Sequence, residues 1–285
     1  MEDLSKYTLP DSREGRTPRD VAHYYEEWTS RYLDVYGEII QAYRPDSDEE
    51  LINYLIQNSG LDRAEHALDA GCGVGGPAIA FAKRLPNLRI HGVTNSQVQV
   101  EEARKRVSAA GLNDRISITL GDYHELDTLL PQESYDFAYF TESFGHSLDR
   151  QRLLSGLWRV LKPGARVYIK DIFRREPTTE RESVIMQFWI DMINRDYCYN
   201  VPELCPTLTT LRRIGYWLHY VKGTSFLNDY HKVAKEFQYR FGLIIDADIA
   251  IHHGLEFVFP IDFMELKFQK PWDSNPEPAF WEERL

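Results

Sequence analysis

Hydrophobic positions along the chain follow two alternating spacings, which predict strands joined by helices. Short apolar runs typical of buried strands occupy residues 66–69, 88–93, 115–120, 135–140 and 165–172. Between them, apolar residues recur at three- and four-residue intervals, as in amphipathic helices. These predicted helices cover residues 77–84, 96–110 and 149–161. Because strands alternating with helices form parallel βαβ units, we expect an α/β fold with a mostly parallel, doubly wound sheet.

Two regions flank this pattern. Residues 1–60 are predicted to form a mobile polar arm and a helical lid, with helices over 20–44 and 48–57. The remaining residues, 61–285, are expected to form one domain. Within it, residues 174–240 are predicted as a helical cap over the carboxyl ends of the strands, where open α/β sheets bind ligands. The other predicted elements are helices over 183–194 and 209–221 and late antiparallel strands over 243–250 and 255–259.

Charge and composition restrict the class of partner. The 33 basic and 44 acidic residues give a formal net charge of −11, which argues against a nucleic-acid partner. No apolar run approaches the roughly 18 residues of a membrane span, and the first residues lack the apolar core of a signal peptide. We therefore expect a cytoplasmic protein without a membrane span. The cysteines (72, 198 and 205) are irregularly spaced, so no disulfide framework or metal site is predicted. A homo-oligomer remains an open alternative.

The richest motif is the glycine cluster after the first strand, DAGCGVGGPA at residues 69–78. Glycine lets a backbone turn sharply and approach a ligand closely. The spacing of Gly71, Gly73 and Gly76 also satisfies the dinucleotide fingerprint. However, an NAD site needs an acidic residue about 20 positions later. Residues 91–95 (HGVTN) contain none, so the sequence argues against NAD.

Further motifs extend a resemblance to class I S-adenosylmethionine (SAM) methyltransferases, and in particular to the sterol and isoprenoid C-methyltransferase group. The first motif has that group's form, and GVTNSQVQ at 92–99 is similar to a second motif that ends in Gln, also found in cyclopropane fatty acid synthases. GDY at 121–123, TESFGH at 141–146 and the tyrosine-rich YEEWTSRYLDVYG at 25–37 continue it. The resemblance covers roughly residues 20–173. It implies a Rossmann-like fold with helical lid additions, SAM as cofactor and S-adenosylhomocysteine (SAH) as product.

The resemblance also implies which residues bind the methionine end of SAM. Gly71 and Gly73 are expected along the methionine part, and Asp69 near its amino group. Tyr25 belongs to the helix that is expected to close over the cofactor.

A second group is expected at the nucleoside end. Thr94, Asn95 and Gln99 would hold the ribose hydroxyls with neutral hydrogen bonds, in place of the usual carboxylate. Asp122 would accept from the adenine amine while Tyr123 packs on the ring. An alternative for Asp122 is a turn residue after the third strand.

Glu142 and His146 are the candidate catalytic residues, because they follow the fourth strand where the methyl group should point. If the acceptor is an alkene carbon, transfer leaves a carbocation; aromatic faces can stabilise it and a base must remove a proton. Glu142 then fits as base or relay, with His146 as its partner. If the acceptor is a hydroxyl, His146 is the more natural base. Alternatively, Glu142 hydrogen-bonds the backbone or the amino group of SAM.

The acceptor is expected to be a small apolar molecule, an expectation that the 13% aromatic content favours. The leading hypothesis is C-methylation of an isoprenoid alkene, with a prenyl diphosphate as one candidate and Mg²⁺ needed only in that case. Alternatives are O-methylation of a natural product and a SAM-binding cyclase without methyl transfer. Five residues are predicted to contact the acceptor or its anionic head group: Arg212, Arg213, Tyr216, Trp217 and Tyr220. His252-His253 is interpreted as a loop pair.

Overall fold

The computed structural model describes residues 4–9, 11, 13–45, 47–224 and 254–272. Within these residues the chain forms one sheet of seven strands in the order β3-β2-β1-β4-β5-β7-β6. Strands β1 to β5 are parallel, and β7 runs antiparallel to both β5 and β6. The strands are β1 His66–Ala70, β2 Arg89–Thr94, β3 Ile116–Leu120, β4 Tyr135–Thr141, β5 Leu161–Arg174, β6 Trp217–Gly223 and β7 Ile261–Gln269. The predicted α/β class is confirmed.

Helices cover both faces of the sheet and extend beyond its carboxyl edge. Short 3₁₀ turns at Leu61–Arg63, Tyr123–Glu125 and Phe144–His146 connect them to the strands. The helices are α1 Pro18–Tyr36, α2 Asp48–Ser59, α3 Gly76–Arg84, α4 Gln97–Ala109, α5 Leu126–Leu129, α6 Arg150–Val160, α7 Glu180–Asp196 and α8 Leu204–Ile214. None of the helices in the described ranges is both long and apolar enough to cross a bilayer.

Local side chains set where the helices begin. The predicted cap of α4 is confirmed, because the Ser96 side chain accepts a hydrogen bond from the amide of Gln99. Ser47 and Asp149 cap α2 and α6 in the same way. At α1, Thr17 and Asp20 form a reciprocal capping box, which fixes the start of the helix that covers the site described below.

Two apolar layers hold the helices against the sheet. On one face, α2, α3 and α4 pack with residues such as Leu55, Phe81 and Val100. On the other, α6 contributes Leu154 and Leu157, which are fully buried. Each such side chain contributes about 1.5–3 kcal/mol by leaving water. This scaffold fixes the carboxyl ends of β1 to β5 along one edge.

The structure corrects three predictions near the N-terminus and at the end of the cap. Helix α1 ends at Tyr36, before the predicted 44, because Gly37 takes a positive φ. The segment 209–221 is not one helix, since Gly215 ends α8 in a left-handed conformation and β6 follows. The last strand among the described residues is 261–269, whereas 255–259 is irregular. The predicted strand 243–250 lies outside the described residues.

The described part of the predicted mobile arm is packed against the rest of the chain. Tyr7 is buried against Phe188 of α7, with their rings edge to face at 5.7 Å. Arg16 donates to the carbonyls of Asn194 and Tyr199 at 2.9 and 2.6 Å. These contacts tie the arm to α7 and to the loop that follows it.

Candidate active site

A first cavity opens at the glycine cluster, at the carboxyl ends of β1 and β2. Gly71 has a φ of +87°, and a Cβ placed on it would lie 2.5 Å from the Cβ and 2.9 Å from the Oγ of Ser143. Glycine is therefore required there both by conformation and by close approach. Gly71 and Gly73 line this glycine-loop cavity, as the sequence predicts for a backbone cradle.

The polar side chains predicted for the nucleoside end converge on the same cavity. Thr94 donates to Gln99 Oε1 at 2.7 Å, which leaves the amide nitrogen of Gln99 as a donor near Gly73. Asn95 also lines the cavity, but its amide donates to the carbonyl of Pro18 at 2.9 Å. Asn95 therefore anchors the start of α1 over the cavity.

Asp122 and Tyr123 form the far wall. His124 donates to Asp122 Oδ1 from its backbone at 3.0 Å and from its ring at 2.6 Å. Burial opposes ionisation of Asp122, but these bonds outweigh it and lower its pKa. Because both bonds end on Oδ1, Oδ2 is the oxygen suited to accept from a ligand amine. The hydroxyl of Tyr123 donates to the carbonyl of Ser143, which holds its ring in the wall.

Asp69 lies beneath the cavity and is absent from its walls. Its side chain is buried, and Oδ2 accepts from the hydroxyl of Tyr139 at 2.9 Å. Oδ1 is buried without a hydrogen-bond partner, and burial raises the pKa of Asp69 to about 7. An orphaned carboxylate oxygen beside the glycine turn fits a ligand that brings a cationic amine. With the glycine cradle and the amide nitrogen of Gln99 as a neutral donor, it makes these residues a fit for SAM.

A second cavity adjoins the first and has aromatic walls. It is lined by tyrosines of α1 and of the loop after α7, by isoleucines and by Phe263 of β7. The two cavities share four lining residues, Tyr25, Ile40, Glu142 and His146. Ligands in the two cavities would meet at this junction. We call the second one the aromatic cavity.

At the junction, Tyr25 and His146 form a hydrogen-bonded pair. His146 Nδ1 lies 3.1 Å from the carbonyl oxygen of Cys198, which can only accept, so Nδ1 carries the proton. Nε2 therefore accepts from the hydroxyl of Tyr25 at 2.7 Å. Burial lowers the pKa of His146 to about 4 and raises that of Tyr25 well above 10. The pair is neutral near pH 7 and can relay a proton.

Glu142 lines both cavities, but its carboxylate is occupied. It accepts from the backbone amides of Ala42 and Tyr43 at 2.6 and 3.1 Å, and from Lys170 Nζ at 2.5 Å. Of the alternatives raised by the sequence, backbone hydrogen bonding is the one observed. Glu142 itself adopts a φ of +60°, an uncommon conformation for a residue with a side chain.

A buried carboxylate supports the wall behind His146. Asp171 accepts from the hydroxyl of Tyr199 at 2.6 Å and from the amide of Gly145 at 3.0 Å. Burial raises its pKa to about 6. The ring of Tyr199 in turn lies 4.2 Å from that of His146, edge to face. These contacts fix both rings at the aromatic cavity.

Three supporting residues, Lys170, Asp171 and Tyr199, were missed from the sequence. Lys170 and Asp171 interrupt the apolar strand segment ARVYIKDIF, and charged residues at a buried strand end were the available signal. Tyr199 had no comparable signal, because its role depends on where the loop after α7 returns to the sheet.

The five residues predicted to contact the acceptor are not brought to either cavity. Strand β6 runs antiparallel to β7, so its beginning, Trp217, pairs with Gln269 at the end of the sheet opposite the cavities. Tyr216 is buried and donates to the carbonyl of Leu154, and Tyr220 donates to that of Asn58. Arg212 and Arg213 lie on the exposed last turn of α8. His252-His253 falls outside the described residues.

No metal centre is apparent in the described ranges: nowhere do three or more His, Cys, Asp or Glu side chains gather in a way that could hold an ion. Among the described residues that line the aromatic cavity, Glu142 is the only one with a formal charge at neutral pH, and none is Lys or Arg.

Residues 67–164 match the family model described as a methyltransferase domain. The chain is 32% identical over 167 residues to the methyltransferase GfsG of Streptomyces halstedii, 35% over 136 residues to the SAM-dependent Diels-Alderase iccD of Talaromyces variabilis, and 33% over 112 residues to the sterol 24-C-methyltransferase erg6 of Aspergillus fumigatus. These matches cover 55%, 47% and 39% of this chain but only 59%, 44% and 29% of those proteins. The chain thus matches less than two thirds of the length of each.

Solved structures share the fold over most of the chain. The [4+2]-cyclase SpnF superposes with a TM-score of 0.71 at 21% identity, covering 90% of this chain and 97% of that one. Geranyl diphosphate C-methyltransferase from Streptomyces coelicolor, solved with Mg²⁺, geranyl diphosphate and SAH, gives 0.64 at 19% identity over 89% and 97%. The expected class I methyltransferase fold is confirmed, and so is the resemblance to this family.

Proposed function

We propose that the chain is a SAM-dependent methyltransferase that transfers the methyl group of SAM to a small, uncharged and largely apolar acceptor. The match of residues 67–164 to a methyltransferase domain supports the proposal. The junction of the two cavities carries this proposal, because a cofactor in the glycine-loop cavity and an acceptor in the aromatic cavity would meet at Tyr25, Glu142 and His146. When bound, SAM supplies a methyl group on a positively charged sulfur that leaves as a neutral thioether. The remaining task of the protein is to align the acceptor and to remove its proton.

The composition of the aromatic cavity favours an uncharged acceptor. A diphosphate would need cationic partners or a metal, and the described walls provide neither Lys nor Arg. Tyr32, Tyr36, Tyr199 and Phe263 instead offer ring faces and edges. We therefore propose a neutral isoprenoid-like alkene and not a prenyl diphosphate, and expect no Mg²⁺ requirement.

For a carbon acceptor, electron balance defines what the residues must do. The alkene π pair forms the new bond to the methyl carbon, the C–S pair stays on sulfur, and the acceptor is left as a carbocation. The aromatic rings stabilise that charge. A neighbouring C–H then loses its proton to the hydroxyl oxygen of Tyr25, which passes its own proton to His146 Nε2. The double bond re-forms and the product is neutral.

An O-methyltransferase is the second candidate, and the Tyr25–His146 pair favours it. A neutral imidazole that accepts from a tyrosine hydroxyl could equally take the proton of an acceptor hydroxyl. In both candidates His146 is the final proton acceptor. Glu142, paired with Lys170, has a different role, which is argued below.

The proposal can be tested with SAM that carries a trideuterated methyl group. We would offer neutral terpenoid alkenes, phenols and quinols, and prenyl diphosphates with and without Mg²⁺, and locate the label by mass spectrometry. Label on a carbon of a neutral alkene is the expected result, whereas label on oxygen supports the second candidate. Transfer only to diphosphates would contradict the uncharged acceptor. Cyclised products without label would instead indicate a SAM-binding cyclase.

A further inference from the structure

The segment between α1 and α2 borders both cavities and is held at several points. We call residues 38–44 the strap. Its residue Ile40 lines both cavities, Glu38 lines the glycine-loop cavity and Ala42 lines the aromatic cavity. The strap is therefore a common wall, and its position sets the shape of both binding sites.

One end of the strap is fixed by close packing. The carbonyl of Glu38 lies so close to Gly76 that a side chain at position 76 would collide with it. At the other end, the ring of Tyr43 stacks on Phe263 with centroids 3.6 Å apart and planes at 8°. Arg44 Nη1 donates back to the carbonyl of Ile39 at 2.9 Å, which closes the strap on itself.

The middle of the strap is held by one buried ion pair. Glu142 accepts the amides of Ala42 and Tyr43, while Lys170 Nζ donates to Gln41 Oε1 at 2.9 Å and to the carbonyl of Tyr43 at 2.5 Å. The two side chains meet at 2.5 Å, with 13% and 1% of their surface exposed. These four hydrogen bonds join residues 41–43 to Glu142, just after β4, and to Lys170 on β5.

We infer that Glu142 and Lys170 form a clasp that positions the strap as a wall common to the two cavities, and that Glu142 is a positioning residue and not the proton acceptor. The inference rests on the proposed function only in assigning the glycine-loop cavity to SAM. Both carboxylate oxygens of Glu142 already accept hydrogen bonds, from two backbone amides and an ammonium, so neither is left unpartnered to face an acceptor. Its charge is instead used to hold two backbone donors that would otherwise be buried unpaired.

The clasp makes a specific prediction for single and double variants. In Glu142→Gln only one side-chain oxygen can accept, and the amide nitrogen faces other donors, while Lys170→Met leaves the carboxylate without its partner. A buried pair is harmed more by removing one partner than by removing both. We therefore expect each single variant to bind SAH at least roughly tenfold more weakly than wild type. The double variant, Glu142→Gln with Lys170→Met, should recover part of that lost affinity.

The experiment measures hydrogen exchange of the strap and SAH affinity by calorimetry, on the full chain and without any acceptor. Faster exchange of the Ala42 and Tyr43 amides in both single variants, together with weaker SAH binding, is the expected result. Lys270→Met is the matched control, because Lys270 is also buried and donates to the carbonyls of Trp158 and Leu161, far from both cavities. It should leave strap exchange and SAH affinity unchanged, and thermal melting of every variant separates unfolding from release of the strap.

The opposite outcome would overturn the inference. If Glu142→Gln keeps normal strap exchange and SAH affinity, Glu142 does not act as a clasp. The same holds if the double variant is no better than the worse single variant. Because exchange and SAH binding require no acceptor, these results stand whether or not methyl transfer is found. Failure of the proposed function and failure of the clasp are thus distinguishable.

Discussion

The two cavities are built in different ways, although they share one junction. Most of the glycine-loop cavity is formed by short segments that directly follow β1, β2, β3 and β4, and α1 and the strap complete it. Most of its polar residues therefore belong to local motifs. The aromatic cavity is assembled from α1, the strap, the end of β5, α7 and β7, which are up to about 240 residues apart in sequence, from Tyr25 to Phe263. A cofactor site of this kind can be recognised from sequence. An acceptor site depends on packing between distant elements.

The two cavities are also expected to differ in how strongly a single substitution changes ligand binding. The glycine-loop cavity depends on backbone conformation, where one added methyl group can block a ligand. The aromatic cavity depends on side-chain hydroxyls and rings that single substitutions modify gradually. Three predictions test this contrast, beginning with the largest effect.

Gly71→Ala should abolish measurable SAH binding, a loss of roughly a thousandfold or more. The new Cβ would meet Ser143 and would sit on a backbone with a φ of +87°. Gly111→Ala is the matched control, because Gly111 also has a positive φ, +68°, but has no atom within 4 Å of the added carbon. Calorimetry with SAH distinguishes them, and equal affinity of the two variants would refute the steric argument.

Tyr25→Phe should lower the rate of methyl transfer roughly a hundredfold while SAH affinity stays within a few-fold. The substitution keeps the ring in both cavities and removes only the hydroxyl that donates to His146. Tyr24→Phe is the control, because Tyr24 lies on the same helix but its hydroxyl is hydrogen-bonded to the hydroxyl of Tyr32 and not to His146. Equal turnover of the two variants, on whichever acceptor the labelling experiment finds, would exclude the relay.

The smallest expected effect is on the pH dependence of stability. An unfolded histidine has a pKa near 6.5, whereas burial lowers that of His146 to about 4. Between these values the unfolded state binds the extra proton, so stability is lost as the pH falls. Wild type should lose roughly 2 kcal/mol more than His146→Gln between pH 8 and pH 5. Urea unfolding at both pH values measures this difference.

The buried carboxyl groups change the free energy of unfolding with pH in the opposite direction, so their contribution must be separated from that of His146. Burial raises the pKa of Asp69 to about 7 and that of Asp171 to about 6, so their folded forms hold protons that the unfolded forms release. Their contribution is lost as the pH rises through these values. Because both residues are present in wild type and in His146→Gln, comparing the two isolates His146. An identical pH dependence would show that His146 is not buried as a neutral group.

The fold and the glycine-loop cavity were largely predictable, since five strands, their helices and eight of the nine predicted SAM contacts follow from local pattern and motif. Those eight line the cavity: Tyr25, Gly71, Gly73, Thr94, Asn95, Gln99, Asp122 and Tyr123. Asp69 does not line the cavity, because its side chain is buried in β1, just before the glycine turn. That these residues bind SAM stays a prediction.

The acceptor region was predictable only in its aromatic character. Arg212 to Tyr220 looked like an amphipathic helix, but Gly215 ended α8 and the following alternation of Trp217, His219 and Val221 became an edge strand. That strand then runs antiparallel to β7, and this sets its first residues at the far end of the sheet. No local pattern encodes such a pairing, because it depends on a strand more than forty residues later.

The position of β7 has a consequence for how the protein is made. Among the described strands it comes last in the chain, yet it lies inside the sheet between β5 and β6. During synthesis the glycine loop and its neighbouring strands emerge well before Ile261 and Phe263, which complete the aromatic wall. Nascent chains therefore pass through a stage in which the apolar edge of β5 is open. At that stage premature pairing with another chain is most harmful, and chaperone contact is most protective.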